Sequence, residues 1–153
     1  MKKLAMLQAV ALALAAGSAM ADVTIGVSVS ATGPAASLGI PEKQTIALLP
    51  ATVGGEKVKY IVLDDATDPS TAVKNARKLT GEDKVDAIIG SSVTPTSMAI
   101  LEVAVETKTP QLAMAPVPPA GDKAPWIFST PQSFNLMAVA IAQHMVANNV
   151  KTV

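Results

Sequence analysis

The chain has 153 residues, 12 Lys plus Arg against 12 Asp plus Glu, half of its residues hydrophobic and no cysteine. That length suits one compact domain, and balanced charge with scattered lysines lacks the basic footprint that nucleic-acid binding requires. Without cysteine there is no disulfide frame, no thiolate nucleophile and no thiolate metal ligand.

Lys2 and Lys3 precede an apolar run from Leu4 to Ala16, broken only by Gln8, and Gly17-Ser18-Ala19-Met20-Ala21 ends in Ala-x-Ala. This pattern predicts a secretory signal peptide over residues 1–21, cut after Ala21. The apolar run is shorter than the ~20 residues a membrane-spanning helix needs. Residues 22–153 are then the exported domain.

Alternating Val23, Ile25, Val27 and Val29 predict a first strand that stops at Gly33-Pro34. A helix is expected over Ile40–Leu49, with Pro41 in its first turn and Pro50 ending it. After a turn at Gly54-Gly55, the run from Val58 to Leu63 predicts a second strand leading into Asp64-Asp65. Asp68 is the expected N-cap of the next helix, with Pro69 at its first position and an end near Gly81. Ala87-Ile88-Ile89 form a short third strand that stops at Gly90. A cluster of hydroxyls follows, and a helix runs from Pro95 to Lys108 with Ser92 or Thr94 as its N-cap. Gln111–Ala115 is a fourth strand, entering a loop through Pro116, Pro118, Pro119 and Gly121. Trp126–Ser129 is a fifth, with Trp126 placed in the core. A last helix is expected over Gln132–Asn149, and Val150–Val153 begin another strand.

Strands alternating with helices through short loops predict α/β architecture: a doubly wound parallel sheet with helices on both faces. In such sheets ligands bind beyond the carboxyl ends of the strands.

The motifs for covalent or cofactor chemistry are missing. The loop after the first strand has only Gly33 where a dinucleotide fingerprint needs three glycines, no P-loop is present, and Gly90-Ser91-Ser92 lacks the second glycine of a nucleophile elbow. His144, the single histidine, falls in the last helix away from every strand end. Asp64, Asp65 and Asp68 lack the glycine-containing loop of a calcium site. No cofactor and no metal are expected. Ser91, Ser92, Thr94 and Thr96 surround the start of a helix, where they either cap it or join its free N–H groups in holding a carboxylate.

Four segments, taken in order, resemble the leucine/isoleucine/valine-binding proteins of ABC importers. They are Thr32-Gly33-Pro34-Ala35-Ala36-Ser37-Leu38-Gly39, Leu63 to Pro69 with Ala72-Val73 and Lys78-Leu79, Ile88-Ile89-Gly90-Ser91-Ser92, and Phe128-Ser129-Thr130-Pro131-Gln132. The resemblance implies a periplasmic solute-binding protein of the two-lobed, hinge-closing kind (the type I periplasmic-binding fold), with residues 22–153 as the N-terminal ligand-binding lobe and the second lobe absent. It implies that Thr94, with Ser92 and Ser91 nearby, takes the ligand's α-carboxylate. The loop after the fourth strand would contribute through Ala115 and Val117, although Val117 stands where relatives often carry a hydroxyl and Pro116 offers no N–H. Leu38 falls where some relatives touch the ligand with an aromatic, which suits an aliphatic ligand side chain. The implied ligand is a branched-chain or related amino acid or small carboxylate, and the implied partner an ABC permease complex in the inner membrane. The second lobe would supply the acidic partner for an α-ammonium, so weak or undetectable binding is expected of this chain alone. Two other readings are a small exported flavodoxin-like α/β enzyme using the same crevice, and a truncated fragment without independent activity.

Overall fold

A computed structural model describes residues 22–118 and 121–152. The expected signal segment over 1–21, Pro119 in the proline-rich loop and Val153 lie outside the described residues. The elements in order are β1 (Val23–Val29), α1 (Ala36–Ile46), β2 (Thr52–Val53), β3 (Glu56–Asp64), α2 (Pro69–Gly81), β4 (Ala87–Gly90), α3 (Thr94–Thr107), β5 (Gln111–Ala113), a 3-10 turn (Gly121–Trp126), β6 (Ile127–Ser129) and α4 (Phe134–Ala147). The sheet order is β2-β3-β1-β4-β5-β6. All neighbours are parallel except β2, a two-residue edge strand antiparallel to β3. From β1 the chain steps outward to β3 and then crosses back to β4, so the winding reverses between β1 and β4. That reversal opens a crevice at their carboxyl ends.

The alternation in β1 explains how both faces are built. Val27 and Val29 are buried with Ile46 of α1 on one face. The even positions, Gly26, Ser28 and Ser30, turn to the other face by the period of two, where α2 and α3 pack. There Ala72, Ala76 and Leu79 of α2 meet Ile88 of β4 and Ile100 and Val103 of α3 in the principal core. A third cluster joins Leu101, Ala113, Val117 and Ile127, with Trp126 packed against it. Trp126 closes the 3-10 turn rather than opening the last strand.

Three local expectations are corrected. Helix α1 starts at Ala36, four residues before Ile40, and so carries Pro41 in its interior rather than in its first turn. β2 was not expected; Gly54-Gly55 folds Thr52–Val53 back on Glu56–Lys57 as a hairpin. The N-cap of α3 is neither Ser92 nor Thr94 but Val93, in extended conformation and with no side-chain cap bond. The hydroxyls on either side of it have other partners. By contrast Asp68 caps α2 as expected, its carboxylate accepting from Thr71 N at 2.7 Å, with Pro69 at the first position.

Helix α4 forms over most of the expected span, capped by Ser133, yet it buries no residue. Phe134, Leu136, Val139, Ile141 and Val146 are exposed, and so are Leu112 and Phe128 on the sheet. Its apolar residues surround the axis instead of forming one stripe, so it has no single face to lay on the sheet. No helix among the described residues is long and apolar enough to cross a membrane.

Candidate functional site at the strand ends

Four loops meet at the carboxyl edge of the parallel strands, and buried Asp65 ties three of them together. Its Oδ2 accepts from Ser28 Oγ at 2.9 Å and from Ser91 Oγ at 2.5 Å. Its Oδ1 accepts from Ser30 Oγ at 2.7 Å and from Thr67 N at 3.0 Å. Asp65 has no solvent exposure, and a buried carboxylate without a cation is tolerated only when its lone pairs are satisfied in this way. Asp64 points the other way and closes the β1–α1 loop, taking Thr32 Oγ1 at 2.7 Å and Ala66 N at 2.9 Å. Burial alone would raise the Asp64 carboxyl, but the bonds from the Thr32 side chain and the Ala66 and Thr32 amides outweigh it and hold it below the usual carboxylate range. Each aspartate of the Asp64, Asp65 and Asp68 group therefore serves a loop or a cap.

The loop after β4 is clamped on every side. Ser97 Oγ accepts from Ser91 N at 2.8 Å and donates to Ser91 O at 2.9 Å. Buried Gln111 donates to Gly90 O at 2.7 Å and to Ser97 O at 2.9 Å. Gly90, with φ of 143°, passes so near β1 that a Cβ there would lie 2.3 Å from Ser28 O. Ser92 Oγ accepts from Ser30 N at 2.9 Å and donates its one proton to Glu42 Oε2. Thr94, half-buried at the first position of α3, donates to Pro116 O at 3.1 Å and so joins this loop to the one after β5. Pro95 beyond it has no N–H, and the N–H groups of Thr94 and Thr96 have no intrahelical acceptor.

The expected site residues thus converge on one edge with unequal access. Thr94 is partly exposed, with its hydroxyl bonded to Pro116 O. Ser91 has no exposure and its hydroxyl belongs to Asp65, so its side chain is withdrawn from the crevice, while Ser92 is bound on both sides. Ala115 and Val117 are buried. The Val117 N–H donates to Ser129 Oγ at 3.1 Å and its carbonyl accepts from the same hydroxyl at 2.9 Å, leaving its backbone occupied. Leu38 is half exposed and lines a cavity of about 370 Å³ with Pro41, Glu42, Thr45, Ile46 and Met114. A larger cavity, about 650 Å³, opens beyond Pro116–Pro118 towards Ile127, Ser129 and the start of α4.

Glu42 is one residue that sequence reasoning missed. Burial is the main cause that pushes its carboxyl above the usual range; the Ser92 bond opposes the rise and the charge of Asp65 adds to it. The available signal was slight: Glu42 is the only acidic residue between Asp22 and Glu56. Gln111 and Ser97 were missed too, since a polar residue opening an apolar strand looks like a boundary and a serine on a helix looks solvated.

A family model described as periplasmic binding protein matches residues 22–153. An amino acid binding protein of Pseudomonas aeruginosa is 37% identical over 102 residues, 60% of this chain and 27% of that protein. An extracellular ligand-binding receptor from Rhodopseudomonas palustris HaA2 superposes with a TM-score of 0.83 at 43% identity, covering 86% of this chain and 37% of that one. A solute binding protein of an ABC transporter from Rhodopseudomonas palustris BisB5, solved in complex with 3,4-dihydroxy benzoic acid, gives 0.75 at 29% identity, covering 85% and 37%. The chain spans 27% to 37% of the length of these relatives. They are binding proteins and receptors rather than enzymes, which sets aside the exported flavodoxin-like enzyme.

Proposed function

The chain belongs to the periplasmic binding protein family, and we propose that it forms the N-terminal ligand-binding lobe of an exported solute receptor that delivers its ligand to an ABC permease in the inner membrane. The ligand is an amino acid or another small carboxylate, captured by contact and lobe closure without covalent chemistry. One observation carries this reading: Thr94 stands at the N-terminus of α3, at the crevice where the sheet reverses. A helix N-terminus with free N–H groups, and a hydroxyl that turns its proton from Pro116 O to the ligand on binding, is suited to an acceptor-only anion. A relative named for amino acids and another solved with an aromatic acid have the carboxylate in common.

An amide-resonance titration of the chain with L-leucine and with 3,4-dihydroxybenzoate tests the reading. The Thr94 and Thr96 amides should move first. Thr94→Val should weaken binding roughly 10- to 150-fold, the equivalent of ~1.5–3 kcal/mol for a hydrogen bond to a charged group. Affinity unchanged in Thr94→Val, or shifts remote from residues 90–97, would refute it.

A further inference from the structure

Resting on the carboxylate reading above, we propose that Glu42 determines specificity by accepting a hydrogen-bond donor, an ammonium or hydroxyl group, that the ligand carries beside its carboxylate. The position of Glu42 follows from the seating of α1. Gly39 lies directly on the end of β1, where a Cβ would fall 2.1 Å from Ser30 O. Glu42, three residues further and on the same helix face, is thereby held against the strand ends, where it takes the proton of Ser92.

That bond divides the chemistry of the crevice. Ser92 has one proton, and while it goes to Glu42 a ligand carboxylate obtains no hydrogen bond from this serine. The ligand's anionic end is left to the start of α3 and to Thr94, whose proton is held only by the neutral Pro116 carbonyl at 3.1 Å and is released more readily than one bound to a carboxylate. Glu42 instead presents an acceptor to the cavity it shares with Leu38, Thr45 and Met114. The ion pairs among the described residues join Arg77 to Glu106, Lys78 to Glu82 and Asp83, and Lys123 to Glu102; none reaches Glu42. The charged group whose field acts on it is Asp65, also acidic and already saturated by three hydroxyls and an amide. A half-buried carboxylate beside a second carboxylate, with no cation paired to either, is complemented by a donor or a positive charge. An acid with no donor near its carboxylate leaves that need unmet, and a zwitterion or a hydroxylated acid meets it.

The experiment uses the 153-residue chain and two probe pairs matched in skeleton: L-leucine against 4-methylpentanoate, and 2-hydroxy-4-methylpentanoate against 4-methylpentanoate. Amide resonances and the Glu42 side-chain carboxyl resonance are followed in the wild type and in Glu42→Gln, which keeps an acceptor for Ser92 and so keeps the fold. In at least one pair the donor-bearing member should bind ten-fold or more tighter. That preference should collapse in Glu42→Gln, and the favoured probe should lower the pH at which Glu42 titrates. If probes move the Thr94 amide with affinities indifferent to the donor and to residue 42, the Glu42 role is overturned and the carboxylate site stands. If the probes shift only residues remote from both Thr94 and Glu42, both fail.

Discussion

Replacing Asp65 with alanine removes the single acceptor shared by the ends of β1, β3 and β4. Four donors lose their partner: the hydroxyls of Ser28, Ser30 and Ser91, and the amide of Thr67. At a net ~1 kcal/mol for each bond, the loss is about 4 kcal/mol, most of the ~5 kcal/mol that marks the lower end for a natural domain. Asp65→Asn separates the parts. Its oxygen can keep Ser30 and Thr67, while its amide nitrogen faces Ser28 and Ser91, so about half the loss, ~2 kcal/mol, is expected. Urea unfolding followed by circular dichroism at pH 7 should give the order wild type, Asn, Ala in midpoint with an unchanged slope. The amides of Ser91 and Ser92 should shift in both variants, since the loop after β4 is held partly through Ser91 Oγ. A stability for Asp65→Ala within 1 kcal/mol of wild type, with those amides unmoved, would refute the claim that this network holds the strand ends together.

The remaining expectations concern the seating of α1, the core and the pH response of Glu42. Gly39→Ala puts a methyl 2.1 Å from Ser30 O, so α1 must lift; a loss of roughly 1–3 kcal/mol, typical of overpacking, should appear as a lower melting temperature, and no change would mean that α1 is not seated there. Leu79→Ala empties a fully buried position of the α2–α3 face and should lose about 2–5 kcal/mol in urea unfolding, whereas less than 1 kcal/mol would place the core elsewhere. The Glu42 carboxyl is raised above its ordinary 4.5 chiefly by burial. Its contribution to stability is therefore complete below that value and lost as pH rises through the raised one. Stability measured from pH 4 to 8 should consequently fall for wild type relative to Glu42→Gln across that window, and parallel curves would contradict the assignment.

What could be read from the sequence was what short range decides. The β1 alternation, the Asp68-Pro69 start of α2 and the stop of β4 at Gly90 are each set within a few residues, and each stands in the structure. The placing of hydroxyls at the start of α3 was legible for the same reason. Their individual duties were not, because each is fixed by a residue distant in sequence: Ser92 by Ser30 and Glu42, Ser91 by Asp65, Thr94 by Pro116. That is also why the expected capping failed at Val93, since a hydroxyl engaged across the sheet is not available to its own helix. The register explains how such distant groups meet. β1 pairs with β4 so that Ser28 lies opposite Gly90 and with β3 so that Val29 lies opposite Asp64, which brings Ser30, Asp65, Ser91 and Ser92 to one level just beyond the strands. A slip of β1 by one residue would turn Ser28 and Ser30 to the face of Ile46 and put Val27 and Val29 against Asp65. The valines that specify the core therefore specify the site as well, because the alternation that buries one set on its face puts the other on the opposite face.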